Sequence, residues 1–408
     1  MSRSRDLAAV RTQPATTTLG TDNYRAGVNA GNSIASGGDF NTVVGDEAST
    51  AITTGTRNIA VGYSALATDT LGSRSVAIGV QALGDQNFTT ATNAYNTAVG
   101  FAAGNAITTG KFNNLFGSLA GDALTTGDSN TAIGYVALSS DTKGERAVAV
   151  GEGALFTQNF TSETNNYNTA IGYNAGYSVT TGTTNTLIGA LAGDALTDAD
   201  HNVAIGWSAL TADTLGSGST AIGRAALFAQ NLTSATNVFN TAVGFNAGVS
   251  VTTGIQNTII GSYAGTQGTD LTTGNNNILL GYLTGTSAAD SLNQFVIGVN
   301  VSGGENEQIT IGTSAGVVQN EFDTDAAWTR TSDVRLKTDI ADATLGLDFI
   351  NDLRTVTYKW KASNDLDQND PQLEKLYNSE NQMNTTTTMH GLIAQEVKTA
   401  LDTAGVDT

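Results

Sequence analysis

The chain has 408 residues, a formal net charge of −19, 47 glycines, 2 prolines and no cysteine, and only 13% of its residues are charged. That makeup excludes a disulfide scaffold and departs from an ordinary charged-surface enzyme, while 39% hydrophobic content with so little charge is unlike a disordered chain. The acidity argues against a nucleic-acid partner, which would need clustered Lys and Arg: between Ala26 and Thr329 the only basic residues are Arg57, Arg74, Lys111, Lys143, Arg146 and Arg224, and no basic patch is expected from them.

Residues 1–30 form a first segment. Its start, MSRSRDLAAVRTQPATTT, has basic residues but no apolar core of secretory length, and no later run is long enough to span a bilayer.

Residues 31–316 are repetitive. A motif of the form Asn-Thr-Ala-(Ile/Val)-Gly recurs, with its glycine at 45, 62, 79, 100, 117, 134, 151, 172, 189, 206, 223, 244, 261, 281, 298 and 312. Steps of 17, 17, 17 and 21 sum to a superperiod of 72, which makes Gly62, Gly134 and Gly206 equivalent. The long step holds QNFTTATNAYN from Gln86, QNFTSETNNYN from Gln158 and QNLTSATNVFN from Gln230, where a protruding loop is expected.

Positions within the unit have distinct physical jobs. Ala lies three residues after the glycine in thirteen consecutive units, Ala48 to Ala264, which implies a crowded interior line. Asn lies four before it in most units, including Asn41, Asn58, Asn96, Asn113 and Asn130, where side chains can hydrogen-bond along a stack. The β-branched residue before the glycine, as in Ile133, Ile171, Ile205 and Val243, favours a strand and is expected to supply the buried apolar stripe. Thr-Thr-Gly segments ending at Gly55, Gly110, Gly127, Gly182, Gly254 and Gly274 suit tight turns with positive φ.

Short strands joined by turns at near-constant spacing predict an all-β repetitive solenoid or β-roll fibre. Sixteen rungs at about 4.8 Å each give a rod of roughly 75 Å. A core of Ala, Ile and Val is thin for one chain, so three chains are expected to share it. Immediately after the repeat glycine, aromatics recur in alternate units as Tyr63, Phe101, Tyr135, Tyr173, Trp207 and Phe245. They can stack on sugar faces, or they can pack over rung ends or between chains.

Composition changes beyond Gly316. Residues 317–331 read as a linker, and residues 332–408 as a small α+β domain with short helices around Leu336 to Leu353, a strand from Thr355 and a final helix from Leu392 to Leu401.

Three blocks of that domain, SDVRLKTDI from Ser332, LRTVTYKWK from Leu353 and HGLIAQEV from His390, resemble the intramolecular chaperone of endosialidase-type tailspikes and other phage fibres. The upstream units are also similar to the β-roll repeats in the heads of trimeric autotransporter adhesins. The chaperone resemblance implies that the domain drives trimerisation and is released by autoproteolysis between Thr331 and Ser332, with Ser332 as nucleophile and Lys337 as its partner. Members continue beyond the last block into a further helical stretch, whereas this sequence ends at Thr408, so a truncated or short form is expected.

The residues themselves allow two readings. A Ser hydroxyl needs a base, and a desolvated Lys can be one. Five residues apart on one helix, the two side chains would diverge by about 140°, so a turn or a contact across chains must join them. Alternatively Ser332 or Asp333 caps a helix and Lys337 is solvated. His390, with no second histidine in this domain, is expected to be structural.

The resemblance therefore implies a virion tail fibre, made in the host cytoplasm without a signal peptide. It attaches to other tail or baseplate proteins through residues 1–30 and recognises a host-surface glycan or protein. Its only enzymatic act would be one cut in its own chain, with no cofactor or metal. A polysaccharide-degrading tailspike and a cellular trimeric adhesin are the alternatives.

Overall fold

In a computed structural model, the structure of the chain describes residues 20–322, 347–370, 373, 377, 379–380 and 385–403. The chain divides into two compact units, Met1–Thr331 and Ser332–Thr408.

The first unit is a β-solenoid. Its main sheet stacks 18 strands, beginning Tyr24–Ala26, Thr42–Val44, Ile59–Val61 and Val76–Ile78. Every pairing in it is parallel except the last, in which Gln308–Thr313 turns back antiparallel onto Gly316–Glu321. Seventeen strands thus make one parallel stack, one more than the glycine series, because Tyr24–Ala26 precedes it. Register follows the repeat: Thr42 faces Ile59, and across a long step Val76 faces Thr97. At about 4.8 Å per rung the stack is about 80 Å long.

The core lies inside the coil. All thirteen alanines from Ala48 to Ala264 are fully buried or nearly so, together with the central residue of each short strand, such as Ala60, Ala132, Leu187 and Ala204. Where that central residue is large, its neighbours give way: a Cβ on Gly104 or Gly121 would come within 2.6 Å or 2.9 Å of Leu115.

The β-branched residues do not form the inner stripe. Ile133 and Ile171 are 40% and 38% exposed. Side chains on a strand alternate in direction. Since the Asn four before the glycine and the Ala two before it both face inward, the residues between and after them must face out.

Buried asparagines knit each rung to the next. Asn58 Nδ2 donates to Gly72 O at 2.9 Å, while Asn58 Oδ1 accepts from Ser75 N–H at 2.9 Å. The same pair of bonds recurs at Asn41, Asn113, Asn130 and Asn185. Side chain to side chain bonds are the minority, as from Asn277 Nδ2 to Asn257 Oδ1 at 3.0 Å.

This ladder also explains the Thr-Thr-Gly glycines. None of the six has positive φ; they are needed because a rung passes close by. A Cβ on Gly110 would lie 2.5 Å from Gly127 O, and Gly110 O is itself the acceptor for Asn96 Nδ2. The repeat glycines carry both constraints: Gly134 has φ +138, and a Cβ there would lie 2.5 Å from Gly151 O.

The long steps are pinned rather than free. Thr92–Asn93 pairs in parallel with Gly72–Ser73, and the equivalent segments do the same in the other two copies. Phe88, Phe160 and Leu232 are buried beneath them.

In the second unit, helix Leu347–Asp352 precedes strand Thr355–Tyr358, which pairs antiparallel with Met389–Leu392 before helix Ala394–Thr403. The final helix therefore starts after Leu392, which belongs to the strand. The unit's α+β character is as expected, and His390 stands in that strand opposite Thr357 with an exposed side chain.

Candidate functional site

Four outward columns make one continuous face along the solenoid. Counting from the repeat glycine, they are the residues five, three and one before it and one after it; on one rung these are Arg57, Ile59, Val61 and Tyr63. The column just before the glycine is apolar on every rung from Val44 to Ile311, and each member is exposed or half-buried. Its neighbour mixes Thr with Val and Ile, apart from Asn114 and Phe295. Soluble proteins seldom expose an apolar strip of this length without a partner for it.

The sequence-predicted aromatics all fall in the column after the glycine. Tyr63, Phe101, Tyr135, Tyr173, Trp207 and Phe245 occupy alternate rungs and are 40–55% exposed, and Tyr282 continues the series. The guanidinium of Arg224, on the rung between, lies 4.7 Å from the Trp207 ring centre and 5.1 Å from that of Phe245.

The column five before the glycine is a left-handed corner. Its members include Phe40, Arg57, Arg74, Tyr95 and Phe112, with φ between +52 and +65. Residues 17 apart in sequence become neighbours across rungs here, so Arg57 and Arg74 occupy equivalent positions on adjacent rungs.

A buried polar network behind the face escaped the sequence reading. Asp69 Oδ2 accepts from Gln86 Nε2 at 2.6 Å, and Asp69 Oδ1 accepts from Gly72 and Phe88 N–H at 2.9 and 3.1 Å. Gln86 Oε1 in turn accepts from Asn96 Nδ2 at 2.8 Å. Asp141 with Gln158, and Asp213 with Gln230, repeat the arrangement. These groups stand where Ser75, Ala147 and Ser219 interrupt the asparagine ladder. Burial pushes the Asp69 and Asp141 carboxyls above the ordinary carboxylate range, against the opposing pull of the Gln amides and backbone N–H groups.

Thr331, Ser332 and Lys337 lie outside the described residues. In the described part of the second unit, Arg354 forms a two-pronged ion pair with Glu396 that ties the strand start to the last helix. Hydrogen bonding from Arg354 holds the Glu396 carboxyl below its ordinary range. A shallow depression elsewhere on the unit is lined by Ile350, Leu353, Val356, His390 and Leu392.

Solenoid and outward face define the class: a repetitive β rod carrying a separate small α+β unit. Residues 332–406 match the family model described as chaperone of endosialidase, and that segment with a β-solenoid before it fits a tail-fibre or tailspike-like protein. No curated protein and no solved structure matches the chain.

Proposed function

We propose that the chain is a structural fibre protein of a virion tail, assembled as a homotrimer whose C-terminal segment serves as a releasable assembly chaperone. The observation that carries this is the unbroken outward strip from Val44 to Ile311. A single chain leaves it in water, whereas three copies sharing an axis would cover it along the whole stack. A trimer-promoting chaperone segment directly after the rod supplies the means, and the family of that segment implies trimer formation.

Release takes two covalent steps. The Ser332 hydroxyl attacks the Thr331 carbonyl carbon while the neutral Lys337 amine takes the hydroxyl proton, then passes it to the departing Ser332 nitrogen. Water hydrolyses the resulting ester, leaving a carboxylate at Thr331 and a free amine at Ser332. The rod remains on the virion, attached through residues 1–30, and meets the host surface. The aromatic column from Tyr63 to Phe245 either contacts a glycan there or packs between chains.

Sedimentation of the purified protein tests the assembly. A trimer is expected, lost when Ile171 and Ile205 are both replaced by Lys. A stable wild-type monomer would sink the proposal.

A further inference from the structure

We propose that the corner column from Phe40 to Phe112 is a binding site for a carboxylate-bearing linear polysaccharide, a hexuronate chain lying along the rod. The inference concerns a different column from the predicted aromatics, and it stands whether or not the rod belongs to a virion.

Five successive rungs place Phe40, Arg57, Arg74, Tyr95 and Phe112 at equivalent positions, a run of about 19 Å at 4.8 Å per rung. The two guanidinium groups splay apart. Arg57 lies 5.4 Å from the Phe40 ring centre, and Arg74 lies 5.3 Å from that of Tyr95, whose hydroxyl accepts from Arg74 Nη1 at 2.9 Å. Tyr95 in turn stacks on Phe112 with ring centres 5.7 Å apart and planes 13° apart. The order along the rod is ring, cation, cation, ring, ring, and the three rings are 43–50% exposed.

Three observations make this more than surface decoration. First, Arg57 and Arg74 occupy equivalent corner positions on neighbouring rungs. Yet neither Arg57 nor Arg74 has a carboxylate within ion-pair distance among the described residues, although the chain carries 37 acidic residues. By contrast, Lys111 next to the column pairs with Asp128 at 3.7 Å, and Arg146 further along it pairs with Glu145 at 3.2 Å. Second, the backbone at this corner is left-handed, which costs a bulky residue about 1–2 kcal/mol relative to glycine. The same column holds Gly218, Asn276 and Asn293 elsewhere, so the backbone does not ask for Phe, Arg or Tyr. Third, the charge is the reverse of the chain's own: an external anion supplies the counter-charge that neither arginine finds within ion-pair distance among the described residues.

The chemistry fits an acidic sugar polymer. Each guanidinium can donate forked N–H bonds to its own carboxylate, as successive acidic residues of a polymer supply them, and exposed rings offer apolar faces to sugar C–H groups on either side. Two arginines on a chain of net charge −19 do not make a phosphate-backbone site, which needs many neutralising cations.

The test uses the full-length assembled protein, with galacturonic acid tetramer and the uncharged galactose tetramer as probes in calorimetry. Wild type is expected to bind the acidic tetramer at least tenfold more tightly than the neutral one, with affinity falling as salt rises. R57Q/R74Q is expected to lose that preference while melting and sedimenting as wild type. Equal binding of the two tetramers, no binding by wild type, or undiminished preference in the variant would each overturn the proposal. So would dissociation of the assembly in R57Q/R74Q, which would show that a second copy of the chain occupies the column.

Discussion

Asn185→Ala probes the ladder that holds rung to rung. In the wild type, Asn185 Nδ2 donates to Ala199 O at 2.8 Å and Asn185 Oδ1 accepts from Asn202 N–H at 3.0 Å, with the side chain wholly buried. Alanine removes both partners and admits no replacement side chain. Each buried backbone group left without its partner costs about 1–3 kcal/mol, so the loss is about 2–6 kcal/mol. Solenoid stability is close to a sum of nearest-neighbour terms, so the damage should be local before it is global. Hydrogen exchange read by mass spectrometry should show faster exchange in peptides covering residues 186–205 and little change near Thr42–Val44. Denaturant unfolding of the whole rod should move in the same direction. At Ala147 the acceptor role passes to other side chains: Asn166 Oδ1 accepts from Asn168 N–H at 2.9 Å, and Gln158 Oε1 accepts from Asn168 Nδ2 at 2.8 Å. Near-wild-type exchange and unfolding in Asn185→Ala would refute the claim that the ladder carries the stacking.

Gly134→Ala should destabilise the rod by several kcal/mol, since its Cβ would sit 2.5 Å from Gly151 O at φ +138 and both strain and overlap add; thermal unfolding measures it. Asp69 and Asp141 have folded values raised by burial, so the stability they contribute is full below the unfolded value of about 3.9 and is lost as pH rises through the higher folded value. The melting temperature should therefore climb as pH falls through that raised folded value toward about 3.9, and the D69N/D141N variant should show a flatter slope. Ser332→Ala should leave the full-length chain intact on denaturing gels, and continued cutting after Thr331 would exclude Ser332 as nucleophile. Trp207→Ala separates the two uses of the aromatic column: reduced host adsorption by an intact trimer marks a glycan contact, and a weakened trimer marks packing between chains.

The solenoid was legible because every rung imposes the same demands, so glycine, alanine and asparagine return at fixed places. Parity was misread at Ile133 and Ile171 because strand propensity says that a residue suits a strand, not which way it faces. The inward Asn and Ala two residues apart already carried that information. Charges at Arg57 and Arg74 looked scattered because they were counted along the chain, whereas the fold places them on adjacent rungs. Asp69 and Gln86 were also within reach, since both recur at the 72-residue spacing, but only coordinates show them bonded across a rung. For Ser332 and Lys337 the motif remains the whole argument, and their pairing depends on contacts that sequence spacing does not set.

The 72-residue grouping has a consequence for how such a rod changes over generations. Four rungs with the same inner ladder and the same pinned loop separate Gly62, Gly134 and Gly206. Recombination between misaligned copies therefore inserts or removes about 19 Å of rod without creating a junction that the fold has not already made. Length is inherited in whole steps, and both ends keep their own specialised sequences.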